Sequence, residues 1–149
     1  MNFSSLFFAL LIFNLSLHAM DNLITAVNTN DTKAAIALLK NGVNPNVRQK
    51  PYGNFYGEEL VTTAANNNNE ELLQALFNAG APVYGLYGEP VHTAAFRGNT
   101  QLVEFLLVRG ATTKSAEEGL ILAIRHYKLT LEQTTQVRAV IEKYIYLKA

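Results

Sequence analysis

The sequence contains no cysteine. Disulfides, thiolate metal centres, cysteine nucleophiles and a lipid-modified cysteine anchor are therefore excluded. It also lacks an excess of either charge, because twelve Lys and Arg balance twelve Asp and Glu. Without a basic field there is no case for non-specific nucleic-acid binding. No Gly-rich phosphate loop, nucleophile elbow or HExxH is present, so the common signatures of nucleotide, acyl-transfer and zinc-hydrolase chemistry are missing. What remains is a chain of 149 residues, 49% hydrophobic and 16% charged. That suffices for one domain held by its own core.

The first twenty residues carry no charged side chain. Residues 6–13 form a dense apolar run, extended by Leu15, Leu17 and Ala19 and ended by Asp21. Asn14 and Ser16 interrupt it, and it falls short of the ~20 apolar residues that a bilayer span needs. It fits the apolar core of a secretory signal with the small Ala19 at the cleavage edge. The segment before the run has no Lys or Arg, and Leu17 is large for its place. The expectation is a signal peptide over residues 1–19 and a mature domain over 20–149, exported to a periplasm or secreted. The alternatives are an uncleaved membrane anchor and a buried N-terminal helix. In an oxidising compartment a chain without cysteine depends on core packing alone.

After residue 20 one spacing occurs three times. Ala26, Ala64 and Ala94 are each followed sixteen residues later by a glycine: Gly42, Gly80 and Gly110. Three residues before each alanine stands an aliphatic: Leu23, Val61, Val91. Four residues after it comes Asn30, Asn68 or Gly98, types that tolerate the left-handed backbone of a tight helix–helix turn. Asp31, Asn69 or Asn99 follows, suited to capping a second helix. That helix carries apolar residues at helical spacing, such as Leu72, Leu73, Leu76 and Phe77, and closes on the glycine. Fixed-period self-similarity of this kind means stacked helix–turn–helix units.

A fourth, degenerate unit follows. Ser115 and Glu118 match a capping box, as do Thr130 and Gln133. Leu120, Ala123 and Ile124 repeat the first-helix face, and Val137, Val140, Ile141, Tyr144 and Ile145 give a long amphipathic last helix. Departure from the pattern is normal at an array end, which must shield the core from water.

These residues resemble the ankyrin repeat family over most of the chain beyond residue 20. The third unit reads Gly88-Glu-Pro-Val-His-Thr-Ala-Ala-Phe-Arg-Gly-Asn and then Leu106-Leu107-Val-Arg-Gly110-Ala111. It is similar to the family's G-x-T-P-L-H-x-A-A-x-x-G-H and L-L-x-x-G-A. Gly42-Val43-Asn44-Pro45-Asn46 resembles the G-A-D-x-N turn, and the second unit keeps Ala64-Ala65 and Gly80-Ala81 without the Pro and His. The resemblance implies an all-α solenoid: three repeats over about 21–50, 57–84 and 88–114, and a C-terminal capping helix pair over 116–147. Successive alanines lie 38 and then 30 residues apart, against a period of about 33. The helices keep their spacing, so the connectors vary. In the family these project as fingers and, with the first helices, form a concave face that usually binds protein.

The connectors hold Tyr52, Phe55 and Tyr56 in the first and Tyr84 and Tyr87 in the second, with Gly53, Gly85 and Gly88 supplying turn chemistry. Two readings stand side by side. Five aromatics on neighbouring projections make a binding face, or they pack on one another and shield helix ends. The resemblance also puts the two residues after each alanine pair on the concave side. Of these, Phe96 and Arg97 have the composition of a hot spot, whereas residues 66–69, all asparagine, read as a helix end and cap. His92 falls at the family's structural histidine, His126 at a surface, and His18 in the signal segment. Two histidines without clustered acids point away from a metal site. The pairs Glu58-Glu59, Glu70-Glu71 and Glu117-Glu118 lie where helices are expected to start, complementing helix dipoles. The Asn30-Asp31-Thr32 sequon sits in a tight turn, a poor place for a glycan, which leans against a eukaryotic secreted protein.

The expectation is a non-catalytic module without cofactor, metal or small-molecule substrate. It binds an unidentified protein through connector fingers and the first-helix face, as inhibitor, immunity, accessory or effector protein. Nucleic acid is not an expected partner, and a membrane is one only if the N-terminal segment stays attached. The alternative is a membrane-tethered structural scaffold, and an enzyme would need a polar pocket with a strongly perturbed titratable group.

Overall fold

In the computed structural model the backbone is described over residues 3–47, 59–84 and 89–147, and side chains over the same residues from Leu15 onward, Ser16 excepted. Among these residues there are eight helices: α1 (Phe3–Asn28), α2 (Thr32–Lys40), α3 (Leu60–Asn66), α4 (Glu70–Asn78), α5 (Pro90–Phe96), α6 (Thr100–Val108), α7 (Thr113–Arg125) and α8 (Leu131–Tyr146). Neighbours in sequence pair as antiparallel units, α1 with α2 through α7 with α8. The odd helices also pack on one another in series and make a first layer. In the second layer α2 packs on α4 and α6 on α8. This is the expected all-α helical repeat stack.

The repeated alanines are the seam of the first layer. Ala26, Ala64 and Ala94 are buried, and Ala123 holds the same place in α7. Leu23, Val61, Val91 and Leu120, three residues earlier, are buried beside them. The second-layer helices contribute Leu39, Leu72, Leu76, Leu102, Leu106 and Leu107 to the same cluster. At the α4–α6 step the rings of Phe77 and Phe105 stack with centroids 6.4 Å apart. Arg109 lies over the Phe105 ring at 3.5 Å and donates a hydrogen bond to the Gln74 side chain.

Each turn has the chemistry its residues predict. Asn30 and Asn68 take positive φ of 56° and 53°, and Gly98 takes 72°. The amide of the next residue reaches back five positions, as in Asp31 N–H to the Ala26 carbonyl at 2.8 Å. This closes the first helix with a Schellman arrangement. Asp31, Asn69 and Asn99 then accept from the amides of Ala34, Leu72 and Leu102 at 3.0, 2.9 and 2.9 Å. Gly42, Gly80 and Gly110 end the second helices with positive φ.

The fourth unit departs from expectation in three places. Its first helix is capped by Thr112, not Ser115. The Thr112 hydroxyl accepts from the Ser115 amide at 3.2 Å and donates to Glu89 at 3.0 Å, so the start of α5 fixes the start of α7. Glu117 and Glu118 consequently lie beyond the first turn of α7 rather than at its dipole end. Ile124 occupies the register of the buried Val27, Ala65 and Ala95 but is 40% exposed, because no further first-layer helix among the described residues covers it. In the last helix Val137 and Ile141 are buried and Val140 and Tyr144 half-buried, while Ile145 is exposed; the Thr130–Gln133 capping box is formed.

The α5–α7 contact is the tightest in the stack. A Cβ built on Gly119 would lie 2.2 Å from the backbone carbonyl oxygen of His92. The His92 ring itself is half-buried and makes no hydrogen bond among the described residues. At the outer edge Lys143 pairs with Glu104 at 2.6 Å and ties α8 to α6. The hydrogen bond, then the opposite charge, holds the Glu104 carboxyl below its ordinary value and the Lys143 ammonium above its own. The contribution is present at neutral pH. It is lost as acid protonates Glu104 below the usual carboxylate range and as alkali deprotonates Lys143 above the usual lysine range. Both groups are exposed, so it is small.

Two substitutions test this packing by denaturant midpoint. Leu106→Ala removes a fully buried side chain and is expected to destabilise by ~2–5 kcal/mol, while Leu131→Ala, at a position 83% exposed, leaves the midpoint nearly unchanged. Gly→Ala in an open helix stabilises by about 1 kcal/mol. Gly119→Ala is expected to reverse that sign and destabilise by ~1–3 kcal/mol, because backbone must move.

Candidate binding surface

Of the residues the sequence singles out, Tyr84, Phe96 and Arg97 are described, and they lie to either side of α5. Tyr84 precedes the helix on the connector side. It is 59% exposed and borders a groove of about 190 Å³ with Pro45, Val47, Leu60, Ala81 and Pro82. Pro45, Leu60 and Ala81 are buried, so the groove has an apolar floor under an aromatic rim. Tyr52, Phe55, Tyr56 and Tyr87, with Gly53, Gly85, Gly88 and Glu58, lie outside the described residues.

Phe96 and Arg97 close the other end of α5, at the tight turn. Phe96 is half-buried as the last helical residue. Arg97 is the C-cap, is exposed, and donates through Nε and Nη2 to Asn66 Oδ1 at 3.2 and 3.1 Å. Arg97 therefore joins its own unit to the one before.

Three more asparagines do the same along this turn ridge. Asn67 Nδ2 donates to the Val27 carbonyl at 3.4 Å. Asn69 Nδ2 donates to Asn30 Oδ1 and Thr32 Oγ1, both at 2.7 Å, while its Oδ1 caps α4. Asn99 Nδ2 donates to Asn68 Oδ1 at 3.2 Å while its Oδ1 caps α6. An amide has both donor and acceptor, so one residue caps a helix and holds the previous turn. Sequence reasoning recognised the caps. The rungs between units were not legible, because they join residues 31 to 40 positions apart.

The ladder stops at the fourth unit. Tyr127 N–H to the Ile124 carbonyl at 3.1 Å and Lys128 N–H to the Ala123 carbonyl at 3.0 Å repeat the bonds of the earlier turns. Tyr127 thus stands in the register of Asn30, Asn68 and Gly98, with φ of 51°, and Lys128 in the register of the capping asparagines. Gly98 offers no side-chain acceptor, and the cap of α8 moves two residues on to Thr130. Leu129 fills the space over Gly98, where a Cβ would meet Leu129 Cδ2 at 2.6 Å. Asn68, Phe96, Arg97, Lys128 and Leu129 line a groove of about 370 Å³ there. Tyr127, which precedes Lys128 in the turn, is 95% exposed. Only the alignment of its turn with the other three, which sequence reasoning stopped short of making, could have drawn attention to it.

Among the described residues no group of three or more His, Asp or Glu side chains is placed to hold a metal ion. The site offers apolar floors, exposed aromatics and amide or cationic hydrogen-bond donors, a set suited to recognition.

A family model described as ankyrin repeats, three copies, matches residues 23–117. The match spans the first three units, ends within α7 and leaves out α8, as the departures of the fourth unit explain. No curated protein matches the chain.

The turn register makes a quantitative prediction. A left-handed backbone costs an ordinary L-residue ~1–2 kcal/mol, and Asn visits it routinely. Tyr127→Asn is therefore expected to stabilise by ~1 kcal/mol and raise the thermal midpoint; a lowered midpoint would show that the Tyr127 ring contributes packing.

Proposed function

The chain belongs to the ankyrin-repeat family, and from that premise we propose that it is a non-catalytic protein-binding module that works outside the bacterial cytoplasm, in a periplasm or secreted. Ankyrin repeats generally mediate protein–protein interaction. The observation that carries the reading is Tyr84, a large aromatic left mostly exposed at the rim of an apolar connector groove. Exposed aromatics over apolar floors are the usual anchors of protein interfaces. Among the roles open to such a module are inhibitor or immunity partner, accessory subunit and effector. Support for export comes from the uncharged apolar run before Asp21.

A second reading, a membrane-tethered scaffold, is favoured by one feature. Helix α1 runs unbroken from Phe3 to Asn28, so the apolar segment is continuous with the buried Leu23, Ala26 and Val27 of the first repeat. Ala19 lies inside that helix, and with Leu15 and Met20 it borders a groove against residues 41–44. Among the described residues no helix is long and apolar enough to cross a membrane.

Expression of the full chain with a C-terminal tag in a Gram-negative host separates the readings. A mature N-terminus near Met20 in the periplasm or medium is the expected result; an intact N-terminus in the membrane fraction would replace it with the tethered scaffold. For the binding surface, Tyr52→Ala combined with Tyr84→Ala is expected to weaken a purified partner by about tenfold or more with an unchanged melt. Unchanged affinity would remove the connectors from the interface.

A further inference from the structure

We propose that the groove at the turn end of the third and fourth units binds an acidic segment of a partner protein, its carboxylates held by Arg97 and Lys128 and an apolar side chain by Phe96 and Leu129. This deepens the protein-binding reading and rests on it.

Four observations converge on the groove. Its lining contains two cations and no carboxylate: Asn68, Phe96, Arg97, Lys128 and Leu129. Arg97 spends two N–H groups on the neutral Asn66 amide, so its charge is not cancelled. Lys128 stands where Asn69 and Asn99 each complete a rung and a cap, yet among the described residues it has neither a side-chain hydrogen bond nor an ion pair, since Gly98 supplies no acceptor. Finally, Tyr127, which precedes Lys128 in the same turn, is almost fully exposed, in a backbone conformation that the other turns give to Asn or Gly. A bulky residue held at positive φ without packing in return is a local strain, and such strain concentrates at functional sites. Arg125 and His126, also exposed, precede it on the same turn.

The chemistry selects an acidic peptide over a nucleic acid. Two lining cations beside apolar surface suit carboxylates spaced around an apolar side chain. A polyphosphate backbone needs a wider basic field, and the chain as a whole has none, with formal net charge +0. Charge complementarity of this kind steers association and weakens with salt.

The test uses the full chain and a fluorescein-labelled peptide of repeated Glu-Glu-Leu, read by fluorescence anisotropy. Repeated Gln-Gln-Leu and a labelled oligothymidylate serve as competitors for the same claim. The expected result is saturable binding of the acidic peptide, roughly tenfold or more tighter than the glutamine peptide and weakened by salt. Arg97→Gln with Lys128→Gln removes the preference. Tyr127→Asn weakens binding while raising the thermal midpoint, a pairing that misfolding cannot produce. The proposal is overturned by absence of binding, by equal affinity for the glutamine peptide, by equal or tighter binding of the oligothymidylate, or by a double variant that keeps the preference. If it falls while the Tyr52 and Tyr84 pair still controls partner affinity, the protein-binding reading stands; if the Tyr pair is silent and the peptide binds, only the connector interface falls.

Discussion

The structure depends on how closely its first-layer helices approach. None of these units can bury its apolar face alone, so each must lie against the next. Small residues set the distance: Ala26, Ala64, Ala94 and Ala123 are all buried on the seam, and Gly119 lets α7 rest against the backbone of α5. Larger side chains there would separate the layers and open voids in a core that has no covalent support, since the chain has no cysteine. The leucines of the second layer then close the seam from behind. The energy of the fold is thus shared along the array, not concentrated in one site.

On the turn side the same geometry produces a polar ridge. Each tight turn presents one left-handed residue and one capping residue, and stacking puts them next to those of the neighbouring unit. Asparagine suits both positions, since it tolerates the left-handed backbone and carries donor and acceptor together. In the first three units the asparagines of the ridge are therefore engaged by the stack itself. In the fourth, Tyr127 and Lys128 keep the turn but not the rungs, and the hydrogen-bonding capacity there faces outward. On the proposed reading, recognition and stacking use one device, and its chemistry decides which role it serves.

Much of this was legible in the residues. The alanine and glycine spacing located the first three units, the left-handed turn residues and asparagine caps follow from local backbone chemistry, and the Thr130–Gln133 capping box appeared where expected. The misreadings were all non-local. Ser115 looked like a cap because S-x-x-E is a local pattern, but Glu89 in another unit selects Thr112. The asparagine run is the helix end and cap its residues predict, but its rungs to the neighbouring units were not legible, because those partners lie a full repeat away. Tyr127 went unremarked because an exposed tyrosine is ordinary, and only its backbone conformation makes it unusual.

The central claim is that the asparagine ridge holds the first three units together and that the ridge turns to recognition where the third unit meets the fourth. Amide NMR of the full chain during titration with the acidic peptide tests it most directly. The account predicts shift changes concentrated at Arg97, Tyr127 and Lys128, with Asn30 and Asn69 unmoved. Changes spread along the whole ridge, or confined to the connector side around Tyr84, would contradict it.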